Sequence, residues 1–195
     1  YMVNPANLSS VADLPEKTEK KKSPKPKPAG KASDKISVKL EALNYSSASD
    51  FLDVAHDPDA IIVYTDGASS GNPGPSGIGV YLAFGKHEKE ISEYIGEATN
   101  NIAELEAIRR ALTEIKNREL PVKIFSDSSY AIGLITLGWK PKKNQELVAE
   151  IKKLVSKFRK IDFIKVEGHS GIPGNERADK LATGAIEKHV KKPAV

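Results

Sequence analysis

A chain of 195 residues is the size of one domain with extensions, and 39% hydrophobic with 29% charged residues is the composition of a globular protein with one core. With no cysteine, disulfides, thiolate catalysis and thiolate-held zinc or iron–sulfur sites are ruled out; with no run near ~18 apolar residues and no basic-then-apolar leader, the expectation is a soluble, cytoplasmic protein with no membrane partner. The formal charge of +4 belongs to the ends, because residues 16–39 carry +6 and residues 188–195 carry +3, which leaves the stretch 40–187 at −4.

Residues 1–35 alternate Lys and Pro (Lys22-Ser23-Pro24-Lys25-Pro26-Lys27-Pro28) and hold few large apolar residues, which predicts a flexible linker. Its lysines could also favour a polyanion through counterion release. Tyr1 ahead of Met2 reads as a start inside a longer sequence or as a residue added at the terminus. Residues 36–58 are an extension of open character, in which Val38, Leu40, Leu43, Phe51 and Leu52 could pack on the body. The run 61–65 (Ile-Ile-Val-Tyr-Thr) predicts a buried strand that halts at Asp66-Gly67, ahead of Gly71-Asn72-Pro73-Gly74-Pro75. Residues 78–84 and 88–97 around Gly85-Lys86 predict a hairpin. Asn100 or Asn101 can cap a helix striped by Leu105, Ile108, Leu112 and Ile115, which Pro121 ends. A strand at 122–125, helices at 128–137 and 145–158, a strand at 161–166 and a helix at 176–188 complete the order β-β-β-α-β-α-α-β-α. Strands separated by helices pair in parallel through right-handed crossovers, so the sheet is mixed.

Four carboxylates sit where carboxylates are unexpected. Asp66 and Asp127 each follow an apolar strand, at the edge where open α/β sheets form sites, although one such Asp alone more often serves a turn or a helix cap. Helical steps from Glu104 reach Ile108, Ala111 and Ile115, so this carboxylate borders the apolar stripe, where an unpaired charge costs several kcal/mol and an Arg or Lys partner is the alternative explanation. Asp179 shares a face with Ala182 and Ile186 and repeats the conflict. Gathered together, four carboxylates need cations, and hard oxygen ligands select Mg²⁺ or Mn²⁺. Two such ions ~4 Å apart can stabilise the attacking and leaving oxygens of an in-line phosphodiester displacement.

With these blocks assembled, the chain resembles ribonuclease H, type I. The resemblance rests on Tyr64-Thr65-Asp66-Gly67 with the Gly-Asn-Pro-Gly-Pro block, Thr99-Asn100-Asn101 with Glu104-Leu105, Ser126-Asp127-Ser128, and Gly168-His169-Ser170-Gly171 with Gly174-Asn175-Glu176-Arg177-Ala178-Asp179. It implies an α/β fold with a mixed five-stranded sheet and helices on both faces, occupying a catalytic domain over residues 59–188 with a basic tail at 189–195. It also implies sequence-independent endonucleolytic cleavage of the RNA strand of RNA/DNA hybrids by a monomer, leaving 5′-phosphate and 3′-hydroxyl ends. Carried over by position, Asp66, Glu104, Asp127 and Asp179 are the catalytic, metal-binding carboxylates for two Mg²⁺ ions, with Mn²⁺ as a substitute. His169 is similar to the family's loop histidine, which handles protons or helps product leave; by composition it is equally a surface loop residue. Gly67, Asn72, Thr99 and Asn100 are similar to substrate contacts, Thr99 to one on a phosphate of the DNA strand, and such contacts read the 2′-hydroxyl and backbone. Turn and cap chemistry is the competing explanation for all four.

The chain departs from many relatives in carrying Ser129 where they have Gln, and it is short between Ile135 and Trp139, where some bacterial members carry a basic helical protrusion. Lys140, Lys142 and Lys143 could substitute in part, and Trp139 could stack beside the DNA strand or serve as a rim aromatic. A ribonuclease H domain released from a reverse transcriptase and a non-catalytic hybrid-binding module are the alternatives; four intact carboxylates argue against the second.

Overall fold

The β-branched run before Asp66 forms the middle of the sheet, since its side chains are needed on both faces. The computed structural model describes residues 43–44 and 57–190. The 1–35 linker, most of the 36–58 extension and the tail beyond residue 190 lie outside the described residues. Strand β1 is Leu43–Asn44, β2 Ile61–Ser69, β3 Gly74–Phe84 and β4 His87–Ala98, followed by helix α1 at Asn100–Glu114. Then come β5 at Val122–Ser126, α2 at Ser129–Thr136, α3 at Gln145–Val155, β6 at Ile161–Lys165 and α4 at Pro173–Val190. Strands β2, β3 and β4 form the antiparallel meander, while β5 and β6 join in parallel. The sheet order is β1-β6-β5-β2-β3-β4. This is the expected mixed five-stranded sheet with one addition: β1 pairs in parallel with β6, Leu43 opposite Ile164 and Asn44 opposite Lys165, and so occupies the β6 edge.

Ile61 and Val63 of β2 point into the larger core with Leu105, Ile108 and Leu112 of α1, Leu134 of α2 and Ile151 of α3. Ile62 and Tyr64 point to the other face, where Phe125, Ile164 and Ala178 of α4 receive them. A strand covered on both faces reads as a continuous apolar run rather than an alternating one, which explains the legibility of β2. α4 lies so close to β3 that a Cβ on Gly79 would come within 1.9 Å of the Ala178 carbonyl oxygen.

Element ends differ from the expectation for local reasons. Thr99, not Asn100 or Asn101, caps α1, with its Oγ1 accepting from the Ile102 N–H at 3.3 Å. β4 stays paired through Ala98, opposite Gly74, so Thr99 is the first residue free to turn. α4 begins at Pro173, before the expected residue 176, because the proline ring presets helical φ in a first turn where no N–H is required. Among the described residues no helix is long and apolar enough to cross a membrane.

Candidate active site

Strand β2 pairs with β5 only from Ile61 to Tyr64, whereas its pairing with β3 continues to Ser69. Asp66 therefore lies just past the point where β5 has turned away, with β3 still beside it. Asp127 follows the end of β5, between Ser126, whose Oγ accepts from the Ser128 N–H at 3.1 Å, and Ser128, which caps α2 through the Ala131 N–H at 3.2 Å. Glu104 arrives from α1 and Asp179 from α4. All four line one cleft of about 290 Å³, together with Gly67, Asn100, His169 and Asn175.

Asp66 and Glu104 are buried, at 8% and 6% exposure, while Asp127 and Asp179 are half-buried. One carboxylate oxygen from each of Asp66, Glu104 and Asp127 lies within 4.8 Å of the others. A second group on the same cleft joins His169, Glu176 and Asp179 within the same span. Asp179 thus stands nearer to His169 and Glu176 than a single four-carboxylate knot would have it, yet close enough for its charge to act on Asp66.

Glycine 67 sets the position of Glu104. A Cβ on Gly67 would fall 2.2 Å from the Ala103 carbonyl carbon and 2.2 Å from the Glu104 nitrogen, so α1 occupies the space the missing side chain leaves. The backbone N–H of Gly67 also hydrogen-bonds the Glu104 carboxylate. A residue expected to let substrate approach thereby lets a helix approach, and the helix brings a carboxylate.

Burial pushes the Asp66 carboxyl up to about 7, helped by the negative charges of Asp127 and Asp179 and opposed by the Gly67 amide and His169. Burial likewise holds Glu104 well above the ordinary carboxylate range, with Asp66 and Asp127 adding to it. Glu104 has no ion-pair partner among the described residues, which removes the Arg or Lys explanation, and its Oε2 is buried without a hydrogen-bond partner. Crowded carboxylates with an orphaned oxygen are a donor set that a hard cation completes. Raised carboxyl pKa values mean that the folded state holds these protons more tightly than the unfolded chain. Their contribution to metal-free stability is therefore present at low pH and lost as pH rises, for Asp66 between about pH 4 and about 7. Added Mg²⁺ must displace those protons, so it is expected to raise Tm more at pH 8 than at pH 5.5, read by thermal unfolding with and without the ion. Equal shifts at both pH values would count against a metal in this cluster.

His169 is exposed on the loop between β6 and α4 and adopts the left-handed region at φ 54°. Its neighbour Gly168 presses on the site, because a Cβ there would be 2.8 Å from Asp127 Oδ2. Asn100 reaches the cleft, while Asn72 stays on the exposed turn at residues 70–73, its Oδ1 accepting from the Asn100 N–H at 3.3 Å. The Thr99 hydroxyl accepts within the helix cap and keeps its own proton to donate. Trp139 is 48% exposed and rests on Gly133 of α2, beside the exposed Lys140, Lys142 and Lys143. Sequence reasoning gave no role to Asn175, 3% exposed with an unpartnered Oδ1, or to Glu176. The i, i+3 spacing from Glu176 to Asp179 on one helix is the signal that could have found the latter.

A family model described as RNase H matches residues 58–187. Among curated proteins, the chain is 43% identical over 141 residues to the ribonuclease H of Syntrophomonas wolfei, covering 65% of this chain and 96% of that protein. It is 42% identical over 146 residues to the ribonuclease H of Acetivibrio thermocellus, covering 68% and 98%. Among solved structures, LC11-RNase H1, isolated from compost by a metagenomic approach, superposes with a TM-score of 0.61 at 34% identity, over 68% of this chain and 99% of that one. The same enzyme in complex with an RNA/DNA hybrid gives a TM-score of 0.58 at 33% identity, over 67% and 99%.

Proposed function

Because the chain belongs to the ribonuclease H family and is a ribonuclease H enzyme, we propose that it cuts the RNA strand of RNA/DNA hybrids internally, as a monomer and without sequence preference, using two divalent ions, Mg²⁺ or Mn²⁺. Asp66, Glu104, Asp127 and Asp179 would hold them. The observation that carries this reading is the triad of Asp66, Glu104 and Asp127, whose oxygens crowd within 4.8 Å while Glu104 Oε2 has no hydrogen-bond partner among the described residues. Bound there, the ions supply Lewis acidity to a water and to the departing 3′ oxygen, which would leave 5′-phosphate and 3′-hydroxyl ends.

The chain's own residues do the rest. Glu104 and Asp66 are held rigid by burial and by the α1–β2 contact at Gly67, so their oxygens face the cleft without a cost of ordering at each turnover. Asp127 and Asp179 are more open and suit a site where substrate enters. His169, exposed beside Glu176 and Asp179, is suited to accept or release a proton as product departs. Asn72 and Asn100, linked to each other, offer amides to the sugar–phosphate backbone. That LC11-RNase H1 is known with a bound RNA/DNA hybrid supports the substrate class.

The test is cleavage of an end-labelled hybrid alongside matched RNA and DNA duplexes, in Mg²⁺, Mn²⁺ or EDTA. Internal cuts in the RNA strand of the hybrid alone, abolished by EDTA, are expected. Cutting that persists in EDTA, or equal cutting of duplex DNA, would overturn the proposal.

A further inference from the structure

Between the end of β2 and the start of α1, three chain segments meet at one carbonyl. Ser69, at the end of β2, and Ser76, early in β3, are cross-strand partners. Ser76 Oγ lies 3.0 Å from the Ala98 carbonyl oxygen and 2.8 Å from that of Gly74; Ser69 Oγ lies 2.9 Å from the Ala98 oxygen and also contacts the Gly71 carbonyl. Each hydroxyl thus sits between a carbonyl at one end of the β2–β3 turn, that of Gly71 or of Gly74, and the last carbonyl of β4. Ala98 immediately precedes Thr99 and Asn100, and the loop carries Asn72, which itself binds the Asn100 N–H. Closing the loop from below, the Ser70 N–H donates to Pro75 O at 2.8 Å.

From this arrangement we infer that Ser76, with Ser69 as its counterpart, is a positioning residue that fixes the loop bearing Asn72 to the helix start bearing Thr99 and Asn100, so that the two substrate-contacting segments meet a hybrid as one preformed surface. The inference rests on the proposed hybrid substrate. Ser76 has no exposed surface and lies outside the cleft lining, so it acts only through what it holds. Ser69 and Asn72 add ties of their own, but both are at least partly exposed, and a side chain at Gly74 would strike the Ser70 carbonyl oxygen at 2.2 Å, so Ser76 is the fully buried member of the clamp. A surface that is already ordered binds without the entropy of ordering it, and that advantage appears in substrate affinity rather than in the chemical step.

The experiment compares wild type with Ser76→Ala, Asn72→Ala and the double variant, measuring KM and kcat on a labelled hybrid and the Mg²⁺ concentration for half-maximal rate. Ser76→Ala is expected to raise KM about five-fold, the size of one lost hydrogen bond, with kcat and the Mg²⁺ dependence unchanged. The double variant should show less than the product of the single effects, because Asn72 gains nothing from its position once the clamp is gone. A lower Tm with unchanged KM would mean that Ser76 is merely structural and would overturn the inference, as would strictly multiplicative effects. Absence of hybrid cleavage by the wild type would instead remove the proposed function, which keeps the two failures apart.

Discussion

Asp127→Asn is expected to abolish hybrid cleavage, by ~10³-fold or more, while leaving the protein folded and still able to bind the hybrid. With Asp127 a metal ligand as proposed, removing its charge would forfeit several kcal/mol of transition-state stabilisation. The same change takes a negative charge away from Asp66 and Glu104, both of which Asp127 pushes upward. Metal-free stability should therefore hold or rise as activity disappears, and the Mg²⁺-induced gain in Tm should shrink. Cleavage assays, hybrid-binding titrations and thermal melts read the three effects separately. A variant that cuts at the wild-type rate would sink the assignment of Asp127, and one that simply unfolds would contradict the electrostatic argument.

The second large effect is expected from Gly67→Ala. One methyl group there meets backbone atoms at 2.2 Å, and backbone cannot swing aside as a flexible side chain would. Overpacking of this kind costs about 3 kcal/mol, roughly 10 °C in Tm for a chain of this size, unless α1 shifts. If α1 does shift, it carries Glu104 away from Asp66, so cleavage falls even well below the melting point. Gly184→Ala is the matched control: its Cβ would meet nothing within 4 Å on α4, and it should raise stability by about 0.5–1 kcal/mol with unchanged cleavage. Circular dichroism melts together with cleavage at low temperature decide the matter, and a Gly67→Ala protein melting within a degree of wild type would refute the packing account.

The residues that conflicted with their surroundings were the legible ones. Glu104 was conspicuous because a carboxylate broke an apolar stripe, and the structure leaves it buried with no Arg or Lys paired to it among the described residues. β2 was readable because both of its faces are covered. What stayed hidden had no such conflict. Thr99, Asn100 and Asn101 are all competent caps, and the choice among them was made by where β4 leaves the ladder, a tertiary fact. Ser76 reads like any turn serine until β4 is laid beside it. Asn175 lies on a helix whose start the sequence placed too late, so its approach to the cleft was not visible, whereas Glu176 shared the expected helix with Asp179 and was passed over. β1 is two residues long and carries no period from which to be inferred.

The chain contains one tryptophan. Its indole rests on Gly133 of α2, the helix that starts just after Asp127, with half of its surface open to water. Tryptophan fluorescence from this protein consequently has a single source at a known address. Any rearrangement of α2, or any polymer laid along the neighbouring lysines, changes the polarity around that one fluorophore. The molecule therefore carries its own spectroscopic gauge, and events at α2 can be followed without attaching a dye.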